Sequence, residues 1–172
     1  MRHRPQSGSR STRAVGALAI FALLALVSAP AFAESDDPFT ALQGSWAGTG
    51  AITMSSGAKE RIRCNAAHHL GASKNELKLE LTCASDSYKF NLQSNVSNRA
   101  GTISGDWFES TRATGGALTG RIAGSAINVR VEGPTFNAIL TITTKADRQA
   151  ISIQSPGSEM SDVTITLMRK SR

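Results

Sequence analysis

The sequence predicts an all-β fold, an antiparallel up-and-down β-barrel of about 8–10 strands. From Leu42 onward apolar side chains recur at every second position, as in Tyr88/Phe90/Leu92, Ile127/Val129/Val131 and Val163/Ile165/Leu167. That is the period of a strand with one buried face, because successive side chains point to opposite sides of a sheet. Turn-forming residues break the pattern at short intervals: Ser55-Ser-Gly57, Ser97–Gly101, Thr114-Gly-Gly116, Gly133-Pro134, Ala146-Asp147 and Ser155-Pro-Gly157. No stretch of ten or more residues carries a helical period, and no long crossover separates the strands. A meander of this kind closes most readily on itself.

The elements follow in order. Arg2, Arg4, Arg10 and Arg13 precede an apolar run, Val15 to Val27, that ends in Ser28-Ala-Pro-Ala-Phe-Ala33. A basic start, an apolar core of about 7–15 residues and small residues before a cut describe a secretory signal peptide over 1–33. The run is shorter than the roughly 20 apolar residues of a membrane-spanning helix, and no Cys follows the cut to carry a lipid. The whole chain has 172 residues, with 19 Lys+Arg against 13 Asp+Glu, but the chain from Glu34 keeps 15 basic and 13 acidic side chains. The apparent basicity largely goes, and nucleic acid as a partner goes with it. Residues 34–41 are expected as a mobile N-terminal lead-in, with a minor helical turn near Pro38–Gln43. Residues 42–172 are expected as a single β-barrel domain. The Ala-rich signal core points to a bacterial host and a periplasmic or secreted location.

Expected strands are Gly44–Met54, Ala58–Leu70, Glu76–Cys83, Ser87–Val96, Gly101–Glu109, Ala117–Ala123, Ala126–Glu132, Thr135–Thr143, Ala150–Gln154 and Asp162–Arg169. Within them Gly101-Thr-Ile-Ser-Gly105 is echoed by Gly116-Ala-Leu-Thr-Gly120. Glycine inside a strand marks a bend or a close backbone approach, which the coiled strands of a small barrel need. A transmembrane barrel is not expected. Only seven aromatics follow the signal (Phe39, Trp46, Tyr88, Phe90, Trp107, Phe108 and Phe136), too few for girdles, and outward positions carry Lys, Arg, Glu and Asn.

Both cysteines, Cys64 and Cys83, lie in the exported part, where an even count reads as a disulfide. Register supports this. Ile62, Cys64, Ala66 and His68 share one face of the second strand, and Leu77, Leu79, Leu81 and Cys83 share one face of the third. Folding the two about the loop Gly71–Glu76 sets Leu70 opposite Leu77 and, in the same register, Cys64 opposite Cys83. Facing residues of an antiparallel pair lie about 4.5–5.5 Å apart, within disulfide reach. A metal site is not expected, because neither a C-x-x-C nor an H-x-x-x-H spacing occurs.

The first strand opens Leu42-Gln-Gly-Ser-Trp-Ala-Gly48, which resembles the G-x-W signature of the calycin superfamily, the lipocalins, fatty-acid-binding proteins and avidins. In lipocalins this Trp closes one end of the barrel and an Arg from the last strand packs across its face. The resemblance therefore implies a barrel-closing pair of Trp46 and Arg169, the latter in phase with Val163, Ile165 and Leu167. The other lipocalin motifs have no counterpart here, and the aromatics that line an avidin site are not matched. A small periplasmic protease inhibitor of bacteria, with a similar barrel, a disulfide and a first-strand Trp, is a second analogue.

Catalytic constellations are scarce. His68 and His69 are adjacent on a strand, so they point to opposite faces, with His68 inward. No G-x-S-x-G elbow or phosphate-cradling loop is present, and Asp106 and Glu109 flank Trp107 out of phase with each other. The outer stripe Lys59, Arg61, Arg63 reads as a solvated face, and Asn95-Val-Ser97 as an incidental sequon. No enzyme activity, cofactor or metal is expected. The leading expectation is an exported barrel that binds a small apolar or amphipathic ligand through Leu79, Leu81, Tyr88, Phe90, Trp107 and Val129, with Ile62 and Ile165 also facing the lumen. The alternative is a protein-interaction module of the cell envelope, a protease inhibitor or an envelope-stability factor, acting through a rim loop or the lead-in.

Overall fold

A computed structural model describes residues 38–134 and 136–171. Among them are one short helix, α1 (Pro38–Leu42), and ten strands: β1 (Gly44–Met54), β2 (Lys59–Leu70), β3 (Glu76–Ala84), β4 (Lys89–Arg99), β5 (Thr102–Glu109), β6 (Thr114–Ala123), β7 (Ala126–Glu132), β8 (Asn137–Lys145), β9 (Arg148–Gln154) and β10 (Met160–Arg169). Every strand pairs antiparallel with its sequence neighbours, and β1 pairs with β10, so the sheet is a closed ten-stranded barrel. The signal peptide expected over 1–33, and residues 34–37 of the expected lead-in, lie outside the described residues. Residues 38–41 differ from a mobile lead-in. They belong to α1, whose Phe39 and Leu42 are fully buried against the barrel interior.

Closure depends on small residues where strands wrap most tightly. The repeat seen in the sequence becomes the β5–β6 pair, in which Gly105 faces Leu118 and Gly120 faces Ile103. A Cβ at Gly105 would overlap the Asn95 carbonyl of β4, and one at Gly120 the Asn128 carbonyl of β7. The glycines therefore let neighbouring backbones close in while large partners fill the inside.

Two turns sit elsewhere than the turn chemistry predicts. Gly115 and Gly116 are part of β6, paired with Phe108 and Trp107. The turn is earlier, because the Glu109 carboxylate accepts hydrogen bonds from the N–H groups of Thr111 (3.0 Å) and Arg112 (2.8 Å) and ties the chain there. Likewise β4 starts at Lys89. The Ser85 N–H donates to the Tyr88 carbonyl (2.8 Å), and the Tyr88 N–H donates to the Ser85 hydroxyl (2.9 Å), which removes Tyr88 from the strand.

The disulfide is present. Cys64 and Cys83 are register partners on β2 and β3, with Cα atoms 4.1 Å apart, and both are buried. No helix among the described residues is long and apolar enough to cross a membrane.

Candidate functional site

The two ends of the barrel are built differently. At one end α1 lies across the opening. Its carbonyls are held by the strands beneath it: Trp46 Nε1 donates to Leu42 (2.8 Å), and Arg169 donates to the carbonyls of Ala41 (2.8 Å) and Gln43. Trp46 and Arg169 are register partners, and the Arg169 guanidinium carbon lies 4.1 Å from the centre of the Trp46 ring. Such a stack contributes about 0.5–2 kcal/mol, more as it is desolvated. Asp147 Oδ1 accepts from Arg169 Nε at 3.0 Å and fixes the guanidinium from outside.

Inside, the apolar side chains divide into two clusters on opposite walls. One joins Phe39 and Leu42 of α1 to Leu77, Ile103, Trp107 and Leu118; the other joins Trp46, Ile52, Ile62, the disulfide, Val163, Ile165 and Leu167. Between them lies a cavity of about 340 Å³, at the small end of the range for ligand sites. Leu79, Leu92, Leu140, Ile142 and Ile153 border it and remain only half-buried although they face inward. Inward-facing apolar side chains in a solid core would be fully buried.

The cavity has a floor and a mouth. Its border at the α1 end, Phe39, Leu42, His68 and Gln149, is wholly buried. At the opposite end it includes Arg112 and Glu159, which are exposed. The carboxylates around this mouth are mostly engaged by turns. Glu109 accepts from Asn91 N–H (2.9 Å) as well as from Thr111 and Arg112. Burial works to raise its pKa, and these donors more than offset that, leaving it below the usual carboxylate value. Glu60 is held low mainly by hydrogen bonding to Ser85 and to the Ser87 N–H.

At the floor, His68 Nε2 lies 3.3 Å from Gln149 Oε1, and Gln149 Nε2 lies 3.4 Å from Thr144 Oγ1. His68 Nδ1 is buried and makes no hydrogen bond of ordinary geometry, while the Ala67 backbone acts on the ring. Burial is the main influence on this imidazole and pushes its pKa below the ordinary value, against smaller raising effects of Gln149 and the Ala67 backbone.

The residues singled out from the sequence fall into three groups. Leu79, Leu81, Phe90, Trp107 and Val129 border the cavity. Ile62 and Ile165 face inward but are packed solid in the Trp46 wall. Tyr88 is off the cavity wall, because the Ser85–Tyr88 turn carries it to the rim, where it packs against the same wall. The sequence reading did not single out Gln149 or Arg112. Gln149 is in phase with Ile151 and Ile153, which is a readable signal, whereas Arg112 is in a turn and has none. His69 is exposed on the outer face. Among the described residues no group of three or more His, Cys, Asp or Glu is placed to hold a metal ion.

The fold and its interior thus define a closed ten-stranded antiparallel barrel shaped as a cup, related to other barrel proteins. No protein-family model and no curated protein matches the sequence. Among solved structures, the chain resembles Rv2717c from M. tuberculosis with a TM-score of 0.63, at 15% identity over 81% of this chain and 99% of that one. It also resembles the S-type phycobiliprotein lyase CPES from Guillardia theta, with a TM-score of 0.57 at 10% identity over 78% of this chain and 91% of that one. At these identities the likeness concerns the fold alone.

Proposed function

We propose that this protein is an exported, non-enzymatic carrier or scavenger that takes one small apolar or amphipathic molecule into the barrel through the end opposite α1. The observation that carries the reading is the ring of inward-facing but incompletely buried apolar side chains around the cavity. Apolar surface in that position gains about 25 cal/mol per Å² when a ligand covers it. The periplasmic or secreted location is part of the proposal, supported by the basic-apolar-small pattern of 1–33 and by the disulfide. A calycin-type relationship is supported by the G-x-W strand and the stacking of Arg169 on Trp46.

Native mass spectrometry of the protein from the exported fraction of its own host tests this. The expected result is a chain beginning at Glu34, with a bound small molecule that leaves on organic extraction. A Val129→Trp variant, which fills the middle of the cavity, is expected to carry none. An empty chain that instead co-purifies with one envelope protein would replace this reading with the interaction-module alternative.

A further inference from the structure

The sequence alone reads the outer stripe Lys59, Arg61 and Arg63 as a solvated face, and the structure gives that stripe a fourth cation and a setting. The three side chains occupy alternate positions of β2 and all are exposed, so the charges follow one another about every 6.8 Å along the strand. Arg63 faces Ala84 on β3, and Ala84 faces Lys89 at the start of β4. That sets Lys89 on the same outer wall, two strand spacings or about 9.5 Å from Arg63. No carboxylate among the described residues is in ion-pair contact with any of the four. The nearby acids are placed elsewhere. Glu60 holds the Ser87 N–H on the rim, Asp86 is in the turn between β3 and β4, and Asp162 is separated from Lys59 by Thr53 of β1. Next to the stripe the middle of the wall is uncharged and short. Thr49, Thr166 and Ala150 form one line across β1, β10 and β9, and Ala51, Thr164 and Ser152 form the next.

We propose that this wall docks on an anionic lipid surface, with Lys59, Arg61, Arg63 and Lys89 among the head groups. The shape favours lipid over a polymer. The cations stand on a convex wall, spread over β2 and β4, and do not line a groove. A fluid array of head groups can follow such a patch, whereas a stiff polyanion meets it at few points. The uncharged wall of β1, β10 and β9 comes close beside them without any charge losing its water. Each cation near an anionic surface is worth about fivefold in partitioning. The four together give several hundredfold, which is reversible contact and not anchoring. Lys59 and Lys89 open their strands at the rim away from α1, so docking brings the mouth of the barrel beside the lipid. None of the four borders the cavity, and the proposal stands apart from what fills the barrel.

The test is co-sedimentation of the protein from the exported fraction with two kinds of vesicle, pure phosphatidylcholine and an equimolar mixture with phosphatidylglycerol. Wild type is expected to bind the mixed vesicles alone, and to leave them as salt rises from about 0.05 to 0.5 M. The triple variant Lys59→Gln/Arg61→Gln/Arg63→Gln is expected to lose about a hundredfold in partitioning. A control removes the same charge from exposed positions of β4, β6 and β7, as Arg99→Gln/Arg121→Gln/Arg130→Gln, and is expected to keep most of the binding. Equal losses in the two triples would mean that net charge acts and this wall does not, which overturns the proposal. Wild type that ignores phosphatidylglycerol overturns it as well. Retention on inorganic polyphosphate without vesicle binding would reassign the stripe to a linear polyanion. Each of these outcomes leaves the carrier reading as it stands, since that reading is tested by the molecule inside the barrel.

Discussion

The closed end and the open end of this barrel are stabilised by opposite means. At the closed end, side chains reach across to a helix that has no stability of its own. Five residues are far below the length at which an isolated helix persists, so α1 depends on Phe39 and Leu42 in the core, and on Trp46 and Arg169 beneath its carbonyls. At the open end the bonds run around the circumference. Ser87 is tied to Glu60, Asn91 to Glu109, Ser155 to the Asn137 carbonyl and Ser161 to the Thr53 carbonyl, each joining neighbours on the rim. A barrel sealed by cross-bracing at one end and hooped at the other keeps an accessible lumen without leaving its strands loose.

The comparison breaks most visibly at Trp46. It is fully buried, donates to α1 and carries the Arg169 stack, so Trp46→Ala removes core volume and the seat of the helix together. A loss of about 3–5 kcal/mol in urea unfolding is expected. Next comes the disulfide, which joins β2 and β3 close to the Ser85–Tyr88 turn of the open rim. The Cys64→Ala/Cys83→Ala pair is expected to cost about 3 kcal/mol, the loop-closure value for this sequence separation. Glu109→Gln follows. It keeps one carboxylate-like acceptor but weakens charge-assisted bonds from three backbone N–H groups, for an expected loss of about 1–3 kcal/mol in the same assay.

The two ends also separate on a pH axis. His68, at the closed end, has a folded-state pKa below its ordinary 6.5, mainly through burial. The unfolded chain therefore takes up a proton first as pH falls, and stability should drop from about pH 6.5 down to the folded-state value and then level off. Glu109, at the open end, is depressed from 4.5, so its contribution is present above that pH and is lost as pH falls through the lower folded value. Unfolding free energy measured against pH should show two declines. His68→Leu should remove the upper one alone and Glu109→Gln the lower one alone.

How much of this the sequence carried depended on period and on phase. Alternation located all ten strands, and the same alternation placed Cys64 across from Cys83 and pointed Arg169 inward toward Trp46. Tyr88 shows the limit. Its phase matches Phe90 and Leu92, but the Ser85 hydroxyl and backbone capture it one residue before β4 begins at Lys89. Thr114-Gly-Gly116 reads as a turn by composition, and it is strand because a carboxylate five residues upstream holds the chain earlier. Phase also put Leu79, Leu81, Phe90, Trp107 and Val129 on the cavity wall, but the open space itself was not legible. It arises where inward side chains from five or more strands fail to meet, and that is a property of the closed geometry and not of any one segment.

The smallest effect separates two alanines that share the left-handed region. Ala100 has φ 50° at the closed end and Ala113 has φ 50° at the open end. Ala100 is the first residue of a two-residue hairpin turn, between the partners Arg99 and Thr102, and Gly101 after it has φ 84°. Positive φ at both positions is the backbone that Asn-Gly favours. Ala100→Asn should therefore stabilise the barrel by about 0.5–1 kcal/mol, since Asn tolerates this conformation better than Ala. Ala113 follows a turn already held by Glu109, whose carboxylate bonds fix Thr111 and Arg112 just before it. Ala113→Asn is expected to give a gain of the same sign there. In a Glu109→Gln background the turn loses its brace and a residue that prefers φ near 50° matters more, so the gain from Ala113→Asn should grow while that from Ala100→Asn stays fixed. Equal gains in both backgrounds, by urea unfolding, would mean that the rim turns are set by their neighbours around the circumference rather than by the carboxylate.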